Sequence, residues 1–143
     1  MTPVGELSAT AVEFLSAGTR TGMLGFAAQD GRPLVVPVWF IVDKGDPVLN
    51  TAKGSAKGRA LMRDPRVVLC VDDPHPPYGF VQVQGTSTLS EDPDELLDIA
   101  TRTAARYIGL DRAEEFGRRN GVPGELVVRI RLTKVIAAFG LAE

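Results

Sequence analysis

Residues 80–89 read FVQVQGTSTL, and apolar and polar side chains alternate along them. From Val81 to Leu89 every second residue is turned to one side, and the intervening glutamines and threonines are turned to the other. An alternation with a period of two is typical of a β-strand with one face in the core. Residues 66–72 (RVVLCVD) are more uniformly apolar, which predicts a buried strand earlier in the chain.

A hairpin is predicted before this pair of strands, from residues 21–28 and 34–42. The dipeptide Asp30-Gly31 between them is preferred in tight type I′ turns. Pro37 has no N–H group to donate to a neighbouring strand, so it predicts an edge position or a bulge. Apolar residues occupy both faces of 34–42, which predicts that both faces are covered.

Two more strands are predicted at residues 47–51 and 126–133. Five or six short strands, joined mostly by turns, favour a small antiparallel barrel. The strands do not alternate with helices and no G-x-G-x-x-G motif occurs, which argues against a Rossmann sheet. The chain has 143 residues, so residues 1–143 are expected to form a single domain.

Helices are predicted between and before these strands, and the fold class is therefore mainly β with flanking helices. Ser55 and Asp92 have side chains that commonly accept hydrogen bonds at helix N-termini. Asp111 with Glu114 predicts a further capping box. The predicted helices cover residues 7–16, 55–62, 92–108 and 111–120.

The third of these helices has one continuous face for packing. Arg106 stands in its last turn, where a basic residue complements the dipole of its own helix. The packing face carries Leu96, Ile99, Ala100, Thr103, Ala104 and Tyr107.

The composition excludes several classes of site. Lys and Arg number 16 against 18 Asp and Glu, so the formal charge of −2 leaves no basic footprint for nucleic acid. The single cysteine, Cys70, excludes an internal disulfide framework and is interpreted as inert packing in an apolar strand. The single histidine, His75, excludes a two-histidine metal site and is interpreted as a solvated loop residue. No metal site is expected.

The sequence also bears on the compartment. Residues 1–15 contain two glutamates and no basic region, unlike a secretory signal. No apolar run approaches the roughly 20 residues of a membrane span. A cytoplasmic protein without membrane attachment is expected.

Residues 50–59 (NTAKGSAKGR) are the strongest signal for a ligand. A predicted strand ends there, glycines and hydroxyl residues follow, and a predicted helix starts. The N-terminus of a helix presents free N–H groups and the positive end of its dipole. Lys53, Lys57 and Arg59 add positive charge, so the segment predicts a site for a phosphate or a carboxylate. A solvated basic helix face has the same pattern, and both interpretations stay open.

Three aromatic residues also have two interpretations each. Trp39, the only tryptophan, is either a wall for a planar ligand or a core or interface residue. Tyr78 and Phe80 follow a proline-rich loop, and they either flank a pocket or pack.

The order and spacing of several short motifs are similar to those of one known family. The motifs include GTRTG at 18–22, PVWF at 37–40, KGR at 57–59, RDPRV at 63–67, PPY at 76–78 and RY at 106–107. With these motifs the chain resembles the pyridoxamine 5′-phosphate oxidase-like split β-barrel proteins. Within them it is similar to the actinobacterial flavin/deazaflavin oxidoreductases of the B group. The resemblance runs from about Gly18 to Val135.

The resemblance implies a six-stranded antiparallel split β-barrel that works as a homodimer, with two cofactors in grooves between the subunits. The cofactor is commonly the deazaflavin coenzyme F420, and FMN in relatives. Its phosphate maps onto Thr51, Lys53, Ser55, Lys57, Gly58 and Arg59. Its ring system is expected beside Val36, Pro37, Val38 and Trp39. From the partner chain, the residues that close the site are Tyr78 and Phe80.

The implied activity is an F420-dependent oxidoreductase that transfers a hydride between reduced F420 and an unsaturated small-molecule substrate. The alternatives are an FMN-binding member of the family, a non-catalytic flavin, haem or tetrapyrrole binder, and a nucleic-acid-binding barrel that the net charge disfavours. No catalytic residue is identified, and the proton comes from solvent or from Tyr78. Relatives often carry asparagine where this chain has Ala60, and some have a second cation at Ser55.

Overall fold

The computed structural model describes residues 6–143, so the first five residues of the predicted domain lie outside it. The described elements are seven β-strands, four α-helices and one 3₁₀ turn. In chain order they are α1 (Ala9–Ser16), β1 (Gly22–Ala27), β2 (Pro33–Val38), β3 (Ile41–Asp43), β4 (Asp46–Ala52), α2 (Ala56–Arg63), β5 (Arg66–Asp73), β6 (Gly79–Ser90), α3 (Pro93–Tyr107), the 3₁₀ turn (Leu110–Arg112), α4 (Ala113–Asn120) and β7 (Glu125–Phe139).

All described strands belong to one sheet with the order β2-β1-β5-β6-β7-β4-β3, and every neighbouring pair is antiparallel. The result is a split barrel with flanking helices, which confirms the predicted fold class. The expected strands 66–72 and 80–89 are confirmed as β5 and β6. No helix within residues 6–143 is long and apolar enough to cross a membrane.

The prediction of one continuous strand at 34–42 is wrong, and the sheet has seven strands instead of six. The chain leaves the sheet at Trp39 and Phe40, and β2 and β3 lie at opposite ends of the strand order. The reason is that α3 binds the backbone of Phe40. The Phe40 N–H donates to the Tyr107 hydroxyl, and its carbonyl accepts from Arg106. The edge position predicted from Pro37 is confirmed, because β2 ends the sheet.

The last strand is longer than predicted, since β7 runs to Phe139 and pairs along all of β6. The register shifts between Gln84 and Gly85. A Cβ atom at Gly85 would collide with the Arg131 carbonyl oxygen, so this close approach of two backbones requires glycine.

The core lies inside the barrel and beneath α1 and α2, with Leu15, Leu24, Leu69 and Ile130 fully buried. A smaller cluster forms where α3 packs near β3 and β4. Its members are Ile41, Val48, Leu96, Ile99 and Val127.

The outer face of the sheet is left uncovered within the chain. Val35 is 62% exposed, Met23 41% and Ile136 38%. Direct cross-strand pairing relates Pro37, Met23, Cys70, Gln82 and Ile136 in one row across the sheet. Directly paired residues share a face, so this is one mostly apolar surface. The prediction that both faces of 34–42 are covered is therefore wrong for a single chain.

Two of the predicted helix caps are confirmed, and a third is wrong. The Ser55 hydroxyl accepts from the Gly58 N–H at 3.0 Å, and the Asp92 carboxylate accepts from the Glu95 N–H at 2.9 Å, as predicted. The capping box from Asp111 is wrong, because the 3₁₀ turn occupies that position and α4 starts without a side-chain cap.

Candidate functional site

A groove of about 460 Å³ lies between the end of β2, the middle of β4, the start of α2 and the second half of α3. It brings together four of the predicted site residues that are distant in sequence. These residues are Pro37, Val38, Trp39 and Lys57. The groove forms where the chain leaves the sheet after β2, at the segment between β2 and β3 whose backbone α3 binds.

Trp39 forms an aromatic wall of this groove. Its ring stacks on Tyr107 with centroids 4.9 Å apart and planes 3° from parallel, while half of Trp39 remains exposed. The Tyr107 hydroxyl donates to the Arg20 carbonyl at 2.8 Å and accepts from the Phe40 N–H at 3.3 Å. These two hydrogen bonds hold the tyrosine ring in place. Trp39 is therefore stacked on a hydrogen-bonded ring, and its exposure shows that it is not a core residue of the single chain.

Lys57 is the cation of the groove. Its side chain is half-buried near Glu125, which also lines the groove. Burial lowers the pKa of Lys57, and the nearby Glu125 carboxylate acts in the opposite direction. Burial likewise raises the pKa of Glu125, with Lys57 opposing. Within residues 6–143, Lys57 makes no ion pair closer than 4.0 Å, so its charge is available to a ligand.

The other predicted cations lie outside the groove lining. Lys53 is exposed and pairs with Glu91 at 3.1 Å. Arg59 is exposed and donates to the Gly54 carbonyl. The predicted cluster of three cations therefore contributes one side chain to this groove.

The remaining residues of the predicted phosphate segment are positioned by local packing. Ser55 caps α2 and donates to the Ala52 carbonyl at 2.7 Å. Thr51 is buried, with its hydroxyl 3.5 Å from that of Ser55. A Cβ atom at Gly58 would collide with the Ala52 carbonyl oxygen, so glycine lets α2 pack against the end of β4.

Three predicted residues lie elsewhere in the chain. Val36 is partly buried and packs against the barrel core. Tyr78 is exposed in the proline-rich loop, and Phe80 follows at the start of β6 opposite Ala138. Neither aromatic residue lines the groove of its own chain.

The sequence did not identify four residues of the groove region as site residues. Three of them line the groove, namely Asn50, Thr103 and Glu125, and the fourth, Tyr107, supports Trp39. Asn50 is the first residue of the predicted anion segment 50–59 but is not among the residues mapped onto the phosphate, and it lines the groove. Thr103 occupies the otherwise apolar face predicted for α3. A polar residue on such an apolar face could have been recognised in the sequence as a candidate site residue. Glu125 gave no signal, because only tertiary packing brings the start of β7 to Lys57.

The sequence predicts that Arg106 caps its own helix, but in the structure its side chain binds carbonyls outside that helix. It donates to the carbonyls of Gly18 at 3.0 Å, Leu15 at 2.7 Å and Phe40 at 2.7 Å. The Leu15 carbonyl belongs to the last turn of α1, and the Gly18 carbonyl follows the end of that helix. Arg106 therefore joins α1, α3 and the break between β2 and β3, directly behind the wall of the groove.

The single cysteine and the single histidine lie outside the groove lining. Cys70 is partly buried in β5, and burial raises the pKa of its thiol. His75 is exposed, and its ring nitrogen lies 3.0 Å from the Asp73 carboxylate. Within residues 6–143, no group of three His, Cys, Asp or Glu residues is placed to hold a metal ion.

The fold is that of a split-barrel protein, and its groove lies where the chain leaves the sheet between β2 and β3. The sequence matches the pyridoxamine 5′-phosphate oxidase family over residues 7–138. The chain belongs to this family, which confirms the resemblance at that level.

Solved structures with this fold extend the comparison. A conserved hypothetical protein from Mycobacterium tuberculosis is 24% identical with a TM-score of 0.81, over 96% of this chain and 87% of that one. An F420 reductase is 23% identical with a TM-score of 0.69, over 94% and 98%. A heme binding protein from Mycobacterium smegmatis is 21% identical with a TM-score of 0.64, over 92% and 57%. No curated protein matches the sequence.

Proposed function

We propose that the chain is an F420-dependent oxidoreductase that transfers a hydride between reduced F420 and an unsaturated small molecule, with FMN as the alternative cofactor. The observation that supports this most is the single groove that joins Lys57 to the wall of Pro37, Val38 and Trp39. A half-buried cation suits a phosphate, and a supported aromatic wall suits a planar ring. The likeness to an F420 reductase favours the deazaflavin.

The groove residues fit a phosphorylated, planar cofactor. Lys57 has no ion pair within 4.0 Å among the described residues, and the apolar lining includes Ala100, Ala104 and Ile108. The volume of about 460 Å³ lies in the range of small-molecule sites. When bound, the cofactor supplies the hydride chemistry.

The chain itself supplies binding, orientation and exclusion of water. Lys57 binds the phosphate by charge-assisted hydrogen bonds. Trp39 limits the positions of a planar group and keeps water from one side. Tyr107 is not suited to give up a proton, because burial raises its pKa and its hydroxyl donates to the Arg20 carbonyl.

A second copy of the chain is proposed on the uncovered apolar face of the sheet. Met23, Val35 and Ile136 would be buried there, and the partner's Tyr78 and Phe80 would close the groove. Sedimentation equilibrium at micromolar concentration is expected to give twice the chain mass of 15.3 kDa. Val35→Glu would place a charge in that face and is expected to give the monomer mass. A monomeric wild-type protein would contradict the proposed dimer.

Parallel titration with F420 and FMN tests the proposed cofactor. Trp39 is the only tryptophan, so quenching of its emission has one source, and that source lies in the groove wall. Binding of F420 is expected to quench this emission with a dissociation constant at least about tenfold below that of FMN, or about 1.4 kcal/mol. Riboflavin, which lacks the phosphate, serves as the matched ligand control and is expected to bind more weakly than FMN.

The alternatives give different results in the same titration. A preference for FMN would move the proposal to a flavin-dependent member of the family. Binding of haem with neither F420 nor FMN would favour a non-catalytic binder, and one solved structure with this fold is a heme binding protein. The structure gives that alternative little support, because the only histidine, His75, lies outside the groove lining.

A further inference from the structure

Three buried side-chain oxygen atoms have no hydrogen-bond partner within residues 6–143. They are Asn50 Oδ1, Ser87 Oγ and Thr103 Oγ1. Asn50 and Thr103 both line the groove that contains Lys57, whereas Ser87 lies on β6 away from it. Buried polar atoms are nearly always paired, and leaving one unpaired is costly. Two such atoms from β4 and α3 in one groove therefore call for a common explanation.

The chemistry of the two side chains restricts what can pair with them. The Asn50 amide nitrogen donates to the Leu96 carbonyl at 3.4 Å. With the amide nitrogen engaged, Oδ1 is left without a partner, and it can only accept a hydrogen bond. The Thr103 hydroxyl can donate or accept. A ligand that satisfies both atoms must bring an N–H or O–H donor and can bring an acceptor beside it.

Two other kinds of ligand group fit these atoms less well. A phosphate or a carboxylate has no proton to offer Asn50 Oδ1 at neutral pH, and Lys57 already provides for an anion. A purely apolar group would leave both oxygen atoms unpaired. Among the lining residues, Ala100, Ala104 and Ile108 have no polar side-chain atom, whereas Thr21, Asn120 and Glu125 do, and none of these pairs with Asn50 Oδ1 or Thr103 Oγ1.

We propose that Asn50 and Thr103 form a specificity subsite for the edge of a planar ring that carries an N–H group beside a carbonyl, as in a cyclic imide. The inference rests on the proposed function, because both flavin and deazaflavin rings have such an edge. Asn50 accepts from the ring N–H, and Thr103 donates to the adjacent carbonyl. Lys57 then selects the phosphate and this pair selects the ring.

The stability of the ligand-free protein gives a readout that does not depend on activity. Thr103→Val keeps the shape of the side chain and removes the unpaired hydroxyl. It is expected to raise the melting temperature by roughly 2–4 °C, since loss of an unsatisfied polar atom is stabilising. Ser87→Ala is the matched control, because it also removes an unpaired buried hydroxyl, and a rise of similar sign is expected.

The affinity for the cofactors is expected to distinguish Thr103→Val from Ser87→Ala. Thr103→Val is expected to weaken F420 and FMN about 3- to 10-fold, the effect of one hydrogen bond. Ser87→Ala is expected to leave both dissociation constants unchanged. N3-methyl-FMN removes the ring donor and is expected to bind the wild type about tenfold more weakly than FMN does. In Asn50→Leu this preference is expected to disappear.

The outcomes distinguish the subsite from the proposed function. Wild-type protein that binds neither F420 nor FMN contradicts the proposed function and the ring-edge ligand with it. Wild-type protein that binds a cofactor while Thr103→Val binds it equally well overturns the subsite alone. Equal binding of FMN and N3-methyl-FMN by the wild type also overturns it, as does a lower melting temperature of Thr103→Val.

Discussion

Replacement of Arg106 by methionine is expected to lower the free energy of unfolding by about 3 kcal/mol. The guanidinium donates to the carbonyls of Leu15, Gly18 and Phe40 and lies 4.8 Å from the centre of the Phe40 ring. Methionine keeps the aliphatic stem and removes the donor from the partly buried Leu15 and Phe40 carbonyls and from the exposed Gly18 carbonyl. The melting temperature is expected to fall by roughly 10 °C, as measured by circular dichroism.

The matched control for this substitution is Arg118→Met. Arg118 is exposed on α4, with Glu114 at 3.7 Å, and its replacement is expected to change the free energy of unfolding by less than about 0.5 kcal/mol. Arg106→Lys is expected to fall between the two, because one ammonium cannot reproduce the planar set of donors. Equal stability of Arg106→Met and Arg118→Met would show that the carbonyl contacts do not stabilise the fold.

Replacement of Lys57 by alanine is expected to weaken binding of F420 and FMN by roughly 10- to 100-fold. That range corresponds to about 1.5–3 kcal/mol, the contribution of a charged hydrogen bond. The effect is large because Lys57 is half-buried and supplies the cation of the groove. Titration of Trp39 emission measures it, and the unfolding curve checks that the variant is folded.

Lys53→Ala is the matched control within the same basic segment. Lys53 is exposed and paired with Glu91, so its removal is expected to change affinity by less than about twofold. Equal losses in the two variants would indicate that the exposed N-terminal face of α2 binds the phosphate instead.

The affinity of the phosphate-bearing cofactors is also expected to depend on pH. Burial lowers the pKa of Lys57 from its usual 10.5, so its charge is lost at a lower pH than that of an exposed lysine. Affinity is therefore expected to fall with rising pH, beginning below pH 10.5. The Lys57→Ala variant is expected to lack this fall, which assigns the titration to Lys57.

The strand pattern could be predicted because it depends on local periodicity. The alternation in residues 80–89 and the Asp30-Gly31 turn are properties of adjacent residues, and the structure confirms the strands that they predict. The break at Trp39 could not be predicted in the same way. It depends on Arg106 and Tyr107, which bind the backbone of Phe40 from more than 60 positions away.

Within the candidate site, the basic segment 50–59 also has features that the sequence predicts and features that only the structure shows. Its sequence identified a helix start with three cations, and Ser55 caps that helix as predicted. Which cation enters the groove depends on how α2 packs against β4 at Gly58 and on where Glu125 and Glu91 come to lie. Those positions depend on how the whole sheet is paired, so they cannot be predicted from the residue spacing within the segment.

By itself, the sequence determined the strand periodicity, the positions of the turns, the caps of α2 and α3, and the family resemblance, because each is contained in short runs of adjacent residues. The type I′ geometry predicted for Asp30-Gly31 is wrong, because only Gly31 of the pair has a positive φ. Only the tertiary structure decided the groove. It divides one apolar segment into two edge strands, stacks Tyr107 on Trp39, and places Asn50 and Thr103 in the same groove as Lys57. These contacts join residues from β2, β4, α2 and α3, which only burial of the common core brings within hydrogen-bond and stacking distance.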